Sequence, residues 1–324
     1  MSEQVRVLTL GDMGAHEQAA LRARFDLVAA ADAAAVGRDD TVRGIVTRGR
    51  TRIDAALMDR LPGLETIATI SVGYDSIDVG ETVRRGIVVS HTPDVLNDEM
   101  ADFTVGLLLA TLRRLPAAER HLRAGRWRNG AEFPYSPSLR GRTIGIAGLG
   151  RIGGVIARRL EAFDVPIAYF ARSPRAASPH AYHDSLLSLA TACDTLIVVL
   201  PGGAATRHAI NADILAALGP DGVLINVARG SVVDEPALIA ALQRGDILGA
   251  GLDVFADEPR VPDALLALEQ VVLLPHVGTA THHTRGRMGQ LAIDNVIAWF
   301  DGRDVLTPIP ECAGLPSRRP PARP

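Results

Sequence analysis

T-I-G-I-A-G-L-G-R-I-G-G, positions 143–154, is the stretch from which the rest of the chain is read. Thr143 to Ile146 is a short run rich in β-branched residues, as a buried strand requires. Gly148, Gly150 and Gly153 follow in G-x-G-x-x-G spacing, and Val155 to Leu160 (V-I-A-R-R-L) has a helical pattern. Strand, glycine turn and helix in this order are the setting in which that spacing binds a dinucleotide. The glycines permit a tight turn and close backbone approach to a pyrophosphate, which then sits at the positive end of the helix. A glycine-rich βα turn that binds nothing has the same local pattern, so the flanking chain has to decide.

Downstream, the alternation continues. Strands are expected at Ile144–Ala147, Ile167–Phe170, Thr195–Val199, Val223–Asn226, Gly249–Leu252 and Val271–Leu274. Six such runs match a six-stranded dinucleotide-binding sheet. Upstream lies a separate series, with strands at Val5–Leu10, Gly44–Thr47, Thr66–Ile70 and Gly86–Ser90 and helices at Glu17–Arg24, Ile53–Leu61 and Val79–Arg85. Strands alternating with helices imply parallel, doubly wound sheets, and this first series has no G-x-G-x-x-G of its own.

Asn97 to Arg114 is long and largely apolar, with acids at its start and arginines at its end, in keeping with the helix dipole. It suits a helix that connects two domains. Arg126 to Arg140 is turn-rich and should run over the surface, where a partner subunit is one place for it. A last helix, roughly Arg285 to Phe300, should return the chain to the first domain, and the Pro/Arg-rich 316–324 reads as a disordered tail. The expected domains are 1–96 with 288–315 for the first, and 97–287 for the second.

Bulk properties narrow the function. A chain of 324 residues exceeds one small core, so two domains are the default. A net charge of −3 offers no bulk attraction to nucleic acid or anionic membrane, and 4% aromatics suggest no base-stacking surface. Cys193 and Cys312 are too few for a disulfide framework or a cysteine zinc site. No apolar run reaches the ~18 residues of a membrane span, and the N-terminus lacks a signal-peptide core. A reducing, cytoplasmic setting is the simplest expectation. His282-His283 lacks an H-E-x-x-H pattern, so no metal site is expected.

With these pieces placed, the sequence resembles the D-isomer-specific 2-hydroxyacid dehydrogenases. The resemblance rests on S-V-G-Y-D at 71–75, G-L-G-R-I-G at 148–153, N-V-A-R-G at 226–230, G-L-D-V-F-A-D-E-P at 251–259 and L-P-H-V-G-T-A at 274–280. Within the family it looks most like the glyoxylate, hydroxypyruvate and hydroxyphenylpyruvate reductases, with Y-F-A-R-S-P-R at 169–175 and V-D-E-P-A-L at 233–238 in support. The resemblance implies an α/β protein of two Rossmann-like domains, the cofactor domain inserted into a flavodoxin-like substrate domain. It also implies a homodimer built through the cofactor domains, a pocket between the domains, and closure on cofactor binding.

Reducing a 2-keto acid to a 2-hydroxy acid needs a carboxylate clamp, a proton donor and a hydride. Arg229 suits the clamp, because a guanidinium fork can hold carboxylate and carbonyl oxygens together. His276 suits the donor, and Glu258 is the candidate carboxylate beside it. Each also has a plain structural reading, as a strand-end cap, a loop histidine and a turn acid. Together, in the family's spacing, they point to catalysis. The resemblance assigns the same roles, and implies substrate contacts from the backbone of Val72 and Gly73 and from the Arg48 loop. It further implies cofactor contacts from Leu149, Arg151, Ile152, Leu200, Pro201, Thr206, Val227, Ala228, Asp253 and Gly278. A capping role for Asp253 stays open, and Asp102 near the start of the long helix reads as structural.

In NAD-binding units an acid ends the second strand and holds the ribose 2′-hydroxyl. Here Ala171 stands at that place, followed by Arg172, Ser173 and Arg175, which suit a 2′-phosphate. NADP(H) is therefore expected, with NAD(H) possible. Two other functions fit less well. D-3-phosphoglycerate dehydrogenase would favour the missing acid, and a dinucleotide-sensing corepressor would favour a partner motif that the sequence lacks.

Overall fold

The computed structural model describes residues 4–49 and 51–315, so the tail expected to be disordered lies outside the described residues. They form two compact units, one from positions up to Leu96 and from Thr281 onward, the other from Asn97 to Ala280.

The first unit contains a five-stranded parallel sheet: β1 (Arg6–Leu10), β2 (Asp26–Ala30), β3 (Val42–Thr47), β4 (Thr66–Thr69) and β5 (Val88–Ser90), in the order β2-β1-β3-β4-β5. This is the flavodoxin-like order, in which the order of strand addition reverses between β1 and β3. Its helices are α1 (Ala15–Arg22), α2 (Ala55–Arg60), α3 (Val79–Arg84) and the last helix of the chain, α11 (His282–Phe300). Asp54 and Asp78 start α2 and α3 by accepting hydrogen bonds from the Leu57 and Glu81 amides at 3.1 and 3.0 Å. Ile45, Ile53, Leu57 and Ile67 are fully buried between sheet and helices, each contributing roughly 1.5–3 kcal/mol of burial.

The second unit has seven parallel strands: β6 (Ile144–Ala147), β7 (Ile167–Phe170), β8 (Ala181–His183), β9 (Thr195–Val198), β10 (Val223–Asn226), β11 (Gly249–Leu252) and β12 (Val271–Leu273), in the order β12-β11-β10-β9-β6-β7-β8. The order is that of a dinucleotide-binding sheet extended by one strand, with its reversal between β6 and β9. Its helices are α4 (Asn97–Leu112), α5 (Leu115–Arg123), α6 (Arg151–Glu161), α7 (Leu186–Ala192), α8 (Ala212–Leu218), α9 (Glu235–Arg244) and α10 (Asp263–Leu266). Helix α4 is apolar on most sides because it is packed on several. Gly251 of β11 lets it approach, since a Cβ there would lie 2.4 Å from Thr111 Oγ1 and 3.0 Å from Leu107.

Two strands are additional to those expected from the sequence, and helices α6 and α11 start earlier. Strands β2 and β8 are edge strands of partial burial. Neither D-L-V-A-A nor A-Y-H presents the apolar run that marks an inner strand, and the alanines of β2 favour helix by propensity. The second sheet accordingly has seven strands rather than six. Helix α6 begins at Arg151, not Val155, because Gly150 is its N-cap and two glycines, Gly153 of the motif and Gly154 after it, lie in its first turns. Helix α11 begins at His282, where Thr281 accepts from the Thr284 amide at 3.2 Å.

Candidate active site

The cofactor residues expected from sequence follow the carboxyl ends of β6, β7, β9, β10, β11 and β12, all on one edge of the second sheet. In an open parallel sheet that edge is where ligands gather. Gly148, at φ +108°, turns the chain after β6, and a Cβ there would meet the Val199 carbonyl oxygen at 2.9 Å. At Gly153 an added Cβ would lie 2.1 Å from the Gly148 carbonyl oxygen, so this glycine lets α6 sit against the turn. Gly150 is different: nothing lies within 4 Å of the Cβ it lacks, and no side chain caps the helix it begins. Open space over an uncapped helix N-terminus, with Leu149, Arg151 and Ile152 around it, fits a dinucleotide pyrophosphate.

The turn after β7 follows the same edge. Ala171 is buried, whereas Arg172, Ser173 and Arg175 are exposed. The buried Tyr169 hydroxyl accepts from the Arg175 amide at 2.7 Å, and Arg175 Nε donates to the Leu149 carbonyl at 3.2 Å. The guanidinium of Arg175 is thereby brought to the glycine turn itself. Leu200 and Pro201 follow β9, and the Thr206 hydroxyl closes that loop onto the Pro201 carbonyl at 2.6 Å.

Val227, Ala228 and Arg229 follow β10. Asn226, at the strand's end, ties this turn twice: its Oδ1 accepts from the Ala228 amide and its Nδ2 donates to the Arg229 carbonyl, both at 3.1 Å. Gly230 cannot carry a side chain, since a Cβ would stand 1.9 Å from the Phe255 backbone. The loop bearing Arg229 is therefore pressed against the loop bearing Glu258.

Glu258 and His276 meet. His276 Nδ1 lies 2.8 Å from Glu258 Oε2, and the other carboxylate oxygen, Oε1, accepts from the Phe255 amide at 3.2 Å. The Glu258 side chain is 16% exposed and that of His276 30%. An ionised carboxylate only accepts, so Nδ1 carries the hydrogen and Nε2 is left for another group. His276 sits at φ +56°, a left-handed conformation uncommon for a residue with a Cβ. What holds it there is Asp253, whose two oxygens accept from the Val277 and Gly278 amides at 2.7 and 2.9 Å. Burial pushes the Asp253 carboxyl above the usual carboxylate range, against the two amides and His276, which favour its charge. The fastening by Asp253 is announced by no local motif, since its partners are backbone amides 24 and 25 residues further along, whereas that by Asn226 is a local Asx turn.

The predicted substrate residues Arg48, Val72 and Gly73 lie in the first unit. Arg48 follows β3, and Val72 and Gly73 follow β4. His91 Nδ1 pairs with the Val72 carbonyl at 2.9 Å, while no hydrogen bond to the described residues comes from the amides of Val72 or Gly73. Asp102, read as structural, receives Arg159 at 2.7 Å across α4 and α6. Cys193 is buried, its thiol pushed up to about 12 chiefly by burial, as an inert packing group would be.

Known proteins resemble this chain in sequence and in fold. The model of the NAD-binding domain of D-isomer specific 2-hydroxyacid dehydrogenases matches residues 105–278. A hydroxyphenylpyruvate reductase of Plectranthus scutellarioides is 46% identical over 270 residues, 83% of this chain and 86% of that protein. A glyoxylate/hydroxypyruvate reductase A of Arabidopsis thaliana is 45% identical over the same shares of the two chains. The crystal structure of an NADPH-dependent glyoxylate/hydroxypyruvate reductase from Sinorhizobium meliloti, in complex with NADP and malonate, superposes with a TM-score of 0.93. It is 52% identical and covers 98% of this chain and 99% of that one.

Proposed function

The chain belongs to the D-isomer specific 2-hydroxyacid dehydrogenase family, and from that premise we propose that it reduces a small 2-keto acid, hydroxypyruvate- or glyoxylate-like, to the D-2-hydroxy acid with NADPH. The single observation that carries this reading is the His276–Glu258 pair at 2.8 Å. It leaves one imidazole nitrogen for a substrate oxygen and a carboxylate to stabilise the imidazolium. In this reading the second unit is the cofactor domain and the first the substrate domain.

Arg229 holds the substrate carboxylate and orients the ketone through its fork of donors. His276 Nε2 delivers a proton to the carbonyl oxygen as negative charge develops there, and Glu258 balances the imidazolium before transfer. Val72 and Gly73 offer amides to the carboxylate, beside Arg48. Gly148, Leu149, Gly150, Arg151, Ile152 and Gly153 hold the pyrophosphate, and Arg172, Ser173 and Arg175 the 2′-phosphate. Leu200, Pro201, Thr206, Val227, Ala228, Asp253 and Gly278 line the rest of the cofactor path. When bound, the reduced nicotinamide supplies the hydride. NADPH is favoured over NADH by the basic turn that follows β7 and by the absence of an acid there.

Purified protein with hydroxypyruvate or glyoxylate, followed by loss of reduced-nicotinamide absorbance, tests both parts. Turnover is expected with NADPH, at roughly 10–100-fold higher kcat/KM than with NADH, the worth of one or two charge-assisted hydrogen bonds. Arg172→Ala should narrow that ratio. No turnover on any small 2-keto acid removes the enzymatic reading, and equal use of both cofactors removes the phosphate site.

The same reading includes a cytoplasmic homodimer assembled through the second unit. Its support is the exposed apolar surface of α5 and the turn after it, with Leu122, Trp127 and Tyr135 at 57, 68 and 104% exposure. Sedimentation at micromolar concentration should give twice the chain mass; a monomer there overturns it.

A further inference from the structure

A buried phenol in the second unit has no part in the chemistry above. Tyr169, on β7, is 1% exposed, and its hydroxyl accepts from the Arg175 amide at 2.7 Å. Among the described residues this is the hydroxyl's one hydrogen bond. Tyr182, its register partner on the edge strand β8, lies beside it with 5.5 Å between ring centroids. A phenylalanine at 169 would fill the same space with no polar group to satisfy. What the hydroxyl adds to this core is therefore the bond to Arg175.

That bond leads to the surface. Between β7 and β8 the chain passes through Arg172, Ser173 and Arg175, all exposed. Neither Arg172 nor Ser173 has a side-chain hydrogen bond or ion pair to another described residue, so the backbone of the turn alone places them. That backbone is gathered at Arg175. Its amide donates to Tyr169, its carbonyl accepts from the Ser178 amide at 2.9 Å, and its Nε donates to the Leu149 carbonyl at 3.2 Å. The Ser178 bond stays within the exposed connection, and the Leu149 bond is made by a long side chain with several rotatable bonds. The Tyr169 hydroxyl, packed inside the sheet, is the rigid anchor.

We propose that Tyr169 is a positioning residue for cofactor choice: its hydroxyl holds the turn between β7 and β8 so that Arg172 and Ser173 meet the 2′-phosphate of NADP(H). This deepens the NADP(H) reading given above and rests on it. Tyr169→Phe keeps the ring beside Tyr182 and removes the bond alone. The Arg175 amide then has to find water, and the turn moves with it. A looser cradle weakens NADPH more than NADH, since NADH carries no group there.

The readout is the ratio of kcat/KM for NADPH to that for NADH at saturating keto acid, on one preparation, so a loss of folded enzyme cancels. Calorimetric dissociation constants of NADP⁺ and NAD⁺ give the same comparison without turnover. Tyr169→Phe should lower the preference for the phosphorylated cofactor about 3–10-fold by both measures, the magnitude of one hydrogen bond, with the loss falling on NADPH and NADP⁺. Tyr182→Phe keeps the ring contact and should leave the preference unaltered. An unaltered preference in Tyr169→Phe overturns the positioning role. So does an equal loss with both cofactors, which is what a general weakening of the fold gives, and so does an equal fall in Tyr182→Phe. A wild type that binds NADP⁺ and NAD⁺ equally would instead fell the phosphate-site reading itself.

Discussion

Two loop clusters on the same edge of the second sheet are built in opposite ways. After β6, geometry is set by what is missing: Gly148 and Gly153 bring backbone against backbone, and Gly150 leaves open space. After β11 and β12, geometry is set by side chains, since Asp253 and Glu258 between them accept from three backbone amides and His276. The contrast follows from the tasks. An anion bound by helix amides needs bare backbone. A proton donor needs one nitrogen committed, so that the other is available in the correct tautomer.

The largest effect should come from the side-chain end. His276→Ala is expected to lower kcat by about 10²–10⁴-fold with NADPH and the best keto acid, because the proton is needed only as charge develops on oxygen. Retention of wild-type kcat would mean that the β12 loop, however well fastened, is not where the proton comes from.

At the bare-backbone end the expected sign is itself the test. Gly153→Ala would ordinarily stabilise a helix by about 1 kcal/mol. Here the new methyl meets a carbonyl oxygen 2.1 Å away, so a net loss of roughly 1–3 kcal/mol is expected in urea unfolding. A gain would show that the glycine is not needed for close packing and that the contrast is misdrawn.

How legible each end is in the sequence follows from the same difference. The inner strands are continuous β-branched runs, and the glycine spacing is local, so both can be read from the order of residues alone. His276, Glu258 and Arg229 could be singled out by residue type and family spacing. Strands β2 and β8 could not, because an edge strand such as A-Y-H is held by pairing with β7 and not by an apolar pattern. Asp253 left two readings open from sequence, cofactor contact and cap. Its observed bonds run to amides 24 and 25 residues further along. The buried Glu17 of α1 is less legible still: in A-H-E-Q-A-A it has the look of a solvated helix acid, and only folding brings Gly289 against it.

The smallest expected effect concerns how the side-chain end is held. Burial is the leading cause that raises the Asp253 carboxyl above its ordinary 3.8, outweighing the two amides. A carboxyl whose folded pKa is raised favours folding when protonated. Its contribution is therefore complete below about pH 3.8 and is lost as pH rises through the folded value. Asp253→Asn has no such proton. The unfolding free energy of the wild type minus that of Asp253→Asn should accordingly fall as the pH is raised from about 3.8 toward neutrality, with a slope of at most about 1.4 kcal/mol per pH unit for one proton. Urea unfolding of both proteins across that range measures it. A difference that rises with pH would mean that the Val277 and Gly278 amides outweigh burial. The loop bearing His276 would then be fastened by charge, and the two ends of the sheet edge would differ less than their geometry suggests.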